Sequence, residues 1–151
     1  MNKPKKIKHL LFTYNATIVL LVLFIIFFAY SIFIALHTNR GIIPDEVAHF
    51  AFSEHYAQTW GIPEDTEETY IYGWYIKQNP FLFYWFNARA LNILNLVMPT
   101  ASDWQLLVFL RLLSSIYALG TVIFCFLLSK EIIKNKWYQL LPVFLLTNTL
   151  M

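Results

Sequence analysis

LLFTYNATIVLLVLFIIFFAYSIFIAL fills residues 10–36 without one charged side chain. A bilayer core takes about 20 apolar residues as a helix, so this run crosses it with length to spare. A cleaved signal peptide would have a shorter core, about 7–15 residues, closed by small side chains. Tyr30-Ser31-Ile32-Phe33-Ile34 offers no such cleavage site, and a retained transmembrane helix is expected. Composition agrees. The chain is 58% hydrophobic and 13% charged, whereas soluble domains run at about 45–50% and about 25%. That leaves too little polar surface to cover a water-soluble globule. The net charge of +2 gives no footing for a nucleic-acid partner. A single cysteine, Cys125, excludes an internal disulfide, and no zinc-type Cys/His spacing occurs. Asn15-Ala16-Thr17 matches a glycosylation sequon, but it sits inside the apolar run, where no glycan could be attached.

A second span is expected over residues 106–129, with Arg111 near its start. Ser102 and Gln105 have the spacing of a capping box, and Asp103 suits the positive end of the helix dipole. A third apolar run, residues 138–151, is too short to cross, so a truncated third helix and an N-terminal fragment are expected. Lysines set the orientation. Lys3, Lys5, Lys6 and Lys8 in residues 1–9, and Lys130, Lys134 and Lys136 in residues 130–137, belong on the cytoplasmic side. Residues 37–105 hold Arg40, Lys77 and Arg89 against Asp45, Glu46, Glu54, Glu64, Asp65, Glu67, Glu68 and Asp103, so this loop faces outward. It is also the stretch richest in ionisable groups, and any chemistry belongs there.

A loop of this length should contain structure of its own. One helix is expected over residues 44–60, opened by Pro44-Asp45-Glu46 and ended by Gly61-Ile62-Pro63. His49, Phe52, Tyr56 and Trp60 would form one aromatic face, and Asp45 and His49, four apart, would share a side. A second helix is expected over residues 79–97, with Asn79 as N-cap, Pro80 in its first turn and Pro99 beyond its end. Asn87, Arg89, Asn92 and Asn95 make a crossing expensive there, and crossing would invert the lysines, so an amphipathic helix in the membrane interface is expected. Each polar feature also has an ordinary use. An acidic pair at a helix start complements the dipole. A lone histidine is commonly a hydrogen-bonded packing residue, and the acids of residues 64–68 read as a solvated turn. Arg111 near a span end can snorkel to headgroups.

The order of these features resembles the start of the GT-C superfamily of membrane glycosyltransferases, typified by protein O-mannosyltransferases and the lipid A aminoarabinose transferase. The nearest likeness is to an uncharacterised branch whose first loop reads Pro-Asp-Glu-x-x-His-Phe, here Pro44-Asp45-Glu46-Val47-Ala48-His49-Phe50. Gln78-Asn79-Pro80-Phe81-Leu82-Phe83-Tyr84 is similar to a Pro-Pro-Leu-Tyr-Tyr segment of the family, without its His and second Pro. Phe109-Leu110-Arg111-Leu112-Leu113-Ser114 resembles the family's second-span start. The resemblance implies an all-α integral membrane protein, a polytopic GT-C-like bundle in a bacterial or archaeal plasma membrane. It also implies transfer of a sugar from a polyprenyl-phosphate donor to an acceptor on the outer face. Under it, Asp45 is the expected general base, with Glu46 orienting it or holding the acceptor. Arg111, Arg89 and Asn79 are the expected substrate contacts, the arginines toward the leaving phosphate. Asp45 and His49 would supply two ligands to a divalent metal ion, as some relatives use. The fragment alone is expected to be inactive. The competing expectation is a non-enzymatic polytopic protein, a transporter or assembly subunit, whose acidic loop binds a partner or cation. A bare membrane anchor ranks last.

Overall fold

The computed structural model describes residues 3–43, 45–70 and 75–150, and side chains within residues 16–147. Pro44 of the loop motif, the side chains of the basic N-terminus and that of Asn15 therefore lie outside the described residues. Five α-helices follow in order: α1 (Lys3–His37), α2 (Glu46–Ala57), α3 (Phe81–Val97), α4 (Asp103–Ile132) and α5 (Leu140–Leu150). A single 3-10 turn, Ile76–Gln78, precedes α3, and no strand occurs among the described residues.

Two helices are long and apolar enough to cross a membrane: α1 over Ala16–His37, with 22 residues, and all 30 residues of α4. At 1.5 Å per residue the shorter stretch reaches about 33 Å, against a hydrocarbon core of about 30 Å. A buried core helix in a soluble protein could pass the same test of length. These helices are not buried. Ile18, Leu21, Ile25 and Phe33 of α1 and Ile116, Phe124 and Leu127 of α4 lie open, a density of apolar surface that water penalises and lipid does not. The start of α4 carries the expected capping box. The Ser102 N–H donates to Gln105 Oε1 at 2.8 Å, and the Gln105 N–H to Ser102 Oγ at 3.4 Å. With these free backbone groups satisfied, α4 begins at Asp103, directly after the capping residue.

The chain divides into two compact units, and the divisions fall inside α1 and α4. One unit joins residues 1–34 to residues 114–151. Its core sets Ala16 and Leu20 of α1 against Val122 of α4 and Leu140 and Val143 of α5. Pro142 falls in the first turn of α5, where its missing N–H costs no helical hydrogen bond.

The other unit is residues 35–113, the last turn of α1, the whole loop and the head of α4. Phe52 and Tyr56 of α2 pack with Ile76 and with Tyr84 and Ala88 of α3. Phe50 of α2, Leu91 of α3 and Leu107 and Leu110 of α4 form a second cluster. Burying each such side chain is worth about 1.5–3 kcal/mol, so these two patches supply most of the drive that folds the loop.

Two helix boundaries differ from expectation for reasons of tertiary contact. α2 stops at Ala57, ahead of Gly61. Its last carbonyls are taken from outside: Arg89 Nη2 donates to Tyr56 O and Thr59 O, each at 2.6 Å, and Asn92 Nδ2 to Ala57 O at 3.1 Å. α3 begins at Phe81, with Pro80 in the capping position and no side-chain cap. Asn79 instead closes the 3-10 turn, its amide donating to Tyr75 O at 3.1 Å.

The polar residues of α3 are divided between core, helix end and surface. Asn87 is buried, and Arg89 and Asn92 turn to the end of α2. The residues left open are Leu82, Phe83, Phe86, Ile93, Asn95, Leu96 and Val97. By spacing Arg89 belongs among them, yet its guanidinium is folded back beneath Trp60, 4.5 Å from the ring centre.

Candidate functional site

The Asp-Glu-x-x-His-Phe block builds the junction of the loop unit, and its four named residues go four ways. Asp45 precedes the first residue of α2 with φ 58, the only non-glycine residue at positive φ among the described residues. That left-handed backbone costs an L-residue roughly 1–2 kcal/mol, and Asp is among the few types that adopt it with ease. Asp45 makes no capping hydrogen bond, and its side chain is exposed. Strained, unengaged acids of this kind cluster at functional sites. Phe50, at the other end of the block, is in the core.

Glu46 turns inward. Its carboxylate receives Arg111 Nε at 2.5 Å and Nη2 at 2.8 Å, a bidentate pair, with the side chains only 9% and 8% exposed. The same guanidinium donates through Nη1 to Ala35 O at 3.0 Å and Thr38 O at 2.6 Å, and through Nη2 to Asn39 O at 3.4 Å. Trp104 covers it, 5.3 Å from the ring centre. One arginine therefore caps the end of α1, pairs with the start of α2 and rises from α4. A planar fork of fixed donors suits this task where a lysine would not. The Gly41 N–H adds a 3.4 Å contact to Glu46 Oε2 from a turn at φ 82.

His49 lies one turn beyond Asp45, its N–H bonded to Asp45 O at 2.9 Å, and its side chain is exposed. Its Nδ1 is hydrogen-bonded to the hydroxyl of Tyr84, and the two rings stack with centres 5.8 Å apart. Tyr84 is 1% exposed, held between Phe52, edge-on at 5.5 Å, and Tyr56, stacked at 5.9 Å. Burial first, and Tyr56 second, push the Tyr84 hydroxyl up to about 12. The aromatic face expected on α2 thus exists for His49, Phe52 and Tyr56, with Tyr84 as its common partner. Trp60 lies past the helix end and meets Trp85 and Arg89 instead.

The expected substrate contacts are placed as follows. Arg111 is enclosed by five oxygens of the chain itself, Arg89 holds the end of α2, and Asn79 closes a turn. Asp45 and His49 share the start of α2, but no group of three or more His, Cys, Asp or Glu side chains converges among the described residues. One ring nitrogen of His49 is engaged by the Tyr84 hydroxyl.

Two residues that carry chemistry escaped the sequence. Tyr84 lay within an aromatic run with nothing to mark it as the partner of a histidine 35 positions away. Glu54 sits in the field of the exposed Arg40–Asp103 pair, 3.4 Å apart. Desolvation and then Asp103 raise its carboxyl above the usual 4.5, with Arg40 opposing. A carboxylate moved toward neutrality is a better general base than an ordinary one. Only the loop's tertiary packing sets that environment.

Compared with known proteins, the chain matches no family model, no curated protein and no solved structure.

Proposed function

We propose that this chain is part of an integral membrane glycosyltransferase of the GT-C kind, with Asp45 as its general base. In this proposal α1 and α4 cross the bilayer, residues 38–102 stand on the non-cytoplasmic side and α3 lies against the outer leaflet. The substrate is a sugar on a polyprenyl phosphate, and Asp45 takes the proton from the acceptor hydroxyl as it attacks the anomeric carbon. One observation carries the reading. Within the Asp-Glu-x-x-His-Phe block Glu46 and Phe50 are consumed in building the fold, while Asp45 is presented outward on a strained backbone. Glu46 and Arg111 then serve as positioning residues that hold the start of α2, and neither is assigned to substrate.

Asp45→Asn is a clean probe, because Asn tolerates the left-handed backbone as readily as Asp. In the full-length protein it should abolish sugar transfer from a polyprenyl-phosphate donor while leaving helix content and expression unchanged. Full activity in that variant would remove the base assignment.

A second reading has an observation of its own. Glu46, Arg89 and Arg111 are all spent on holding the fold, as suits a non-enzymatic loop in a transporter or assembly subunit. Full-length protein that binds no polyprenyl-phosphate sugar would favour it.

A further inference from the structure

We infer that Tyr84 is a positioning residue that fixes His49 with its proton on Nε2, so that His49 enters the Asp45 site as a hydrogen-bond donor to oxygen. The role at the site rests on the function proposed above; the tautomer stands on geometry alone. A buried hydroxyl must place its proton on an acceptor. The partner of the Tyr84 hydroxyl among the described residues is Nδ1 of His49. A tyrosine hydroxyl keeps its proton throughout the ordinary pH range. The phenol therefore donates, Nδ1 accepts, and neutral imidazole carries its hydrogen on the other nitrogen. Phe52 and Tyr56 hold the Tyr84 ring on two sides, which fixes where its hydroxyl oxygen lies against His49.

The consequence is chemical. An Nε2 that bears hydrogen offers no lone pair to a metal ion or to an incoming proton. It offers an N–H, one turn from an exposed carboxylate, to an oxygen of a bound molecule. His49 then orients or polarises substrate while Asp45 handles the proton. Tyr84→Phe keeps the ring and removes only the hydroxyl.

The test uses the full chain with ¹⁵N-labelled histidine in nanodiscs of phosphatidylcholine and phosphatidylglycerol, about two pH units above the ordinary imidazole value. His9, His37, His49 and His55 give four sets of signals, and His49→Gln identifies the relevant one. We expect wild-type His49 as a single tautomer with hydrogen on Nε2 and with Nδ1 shifted by its hydrogen bond. Tyr84→Phe, with helix content unchanged, should return Nδ1 to the averaged value of solvated imidazole. Equimolar Zn²⁺ should leave the wild-type signals in place. Hydrogen on Nδ1, an Nδ1 signal indifferent to Tyr84→Phe, or a Zn²⁺-induced shift of His49 would each overturn the inference. Because no arm depends on sugar transfer, its failure is separable from failure of the glycosyltransferase proposal.

Discussion

At the scale of single residues, the bidentate Glu46–Arg111 pair has the clearest energetic consequence. Removing one partner of a buried pair leaves an uncompensated charge and costs about 3–5 kcal/mol, whereas replacing both by apolar side chains is often nearly neutral. Glu46→Ala and Arg111→Ala should therefore each lower the unfolding midpoint of the loop unit strongly. Glu46→Leu with Arg111→Met should lose much less, although Arg111 also caps α1 through Ala35 and Thr38 and some deficit should persist. Denaturation in mixed micelles followed by near-ultraviolet dichroism would measure the cycle. Glu54 gives a pH prediction. Its carboxyl is raised in the fold, so the folded state binds its proton more tightly than the unfolded state does. Its contribution is fully present below the ordinary value of 4.5 and is lost as pH rises through the folded value. Glu54→Gln should accordingly lose less stability than wild type between pH 4.5 and neutrality; equal slopes would show that the carboxyl is not perturbed. The pair at Glu46 could not be foreseen from spacing. Its residues are 65 positions apart, and the family resemblance implied that Glu46 orients Asp45 or holds the acceptor and that Arg111 meets the leaving phosphate.

At the scale of elements, α3 does two tasks with opposite sides. Its inner side packs Tyr84, Ala88 and Leu91 and lends Arg89 and Asn92 to the end of α2. Its outer side is mostly apolar, with Asn95 exposed near its end and Arg89 withdrawn beneath Trp60. Arg89→Ala should loosen α2 at its C-terminal turn, because Tyr56 O and Thr59 O lose the charged hydrogen bonds of the guanidinium. A destabilisation of about 1.5–3 kcal/mol is expected, the range for hydrogen bonds from a charged donor, with faster amide exchange at the end of α2 as the direct readout. If α3 lies against lipid, spin labels at Leu82, Phe86 and Ile93 in a Cys125→Ser background should collide with oxygen and not with a water-soluble nickel complex. A label at Glu67 should do the reverse. Helix existence was legible here and helix ends were not. The Phe-Leu-Phe-Tyr-Trp-Phe run of α3 announced an apolar helix, but which residues would cap α2 depended on where the two helices met.

At the scale of the whole molecule, α1 and α4 are long and apolar enough to cross a bilayer, and the sides proposed for the loops follow from the lysine distribution. Impermeant thiol labelling should modify a cysteine placed at Glu67 in right-side-out cells and one placed at Lys134 only after the membrane is opened. Labelling of both from outside would reject the two-span topology. The loop between these helices is a folded unit with its own aromatic cores, so a substitution in it such as Phe52→Ala should cost about 3–5 kcal/mol, as in a compact domain.

The sequence by itself determined the helical class, the two apolar helices, the capping box at Ser102 and Gln105 and the block in which Asp45 and His49 share a turn. All of these depend on residues within one helical repeat of each other or on a sustained run of one polarity. Only the tertiary structure decided that Glu46 and Arg111 bind each other, that Arg89 ends α2 and that Tyr84 sets the chemistry of His49. Each of those outcomes depends on which long, polar side chain reaches which free backbone group or partner across the packed loop. Distance along the chain carries no record of that choice.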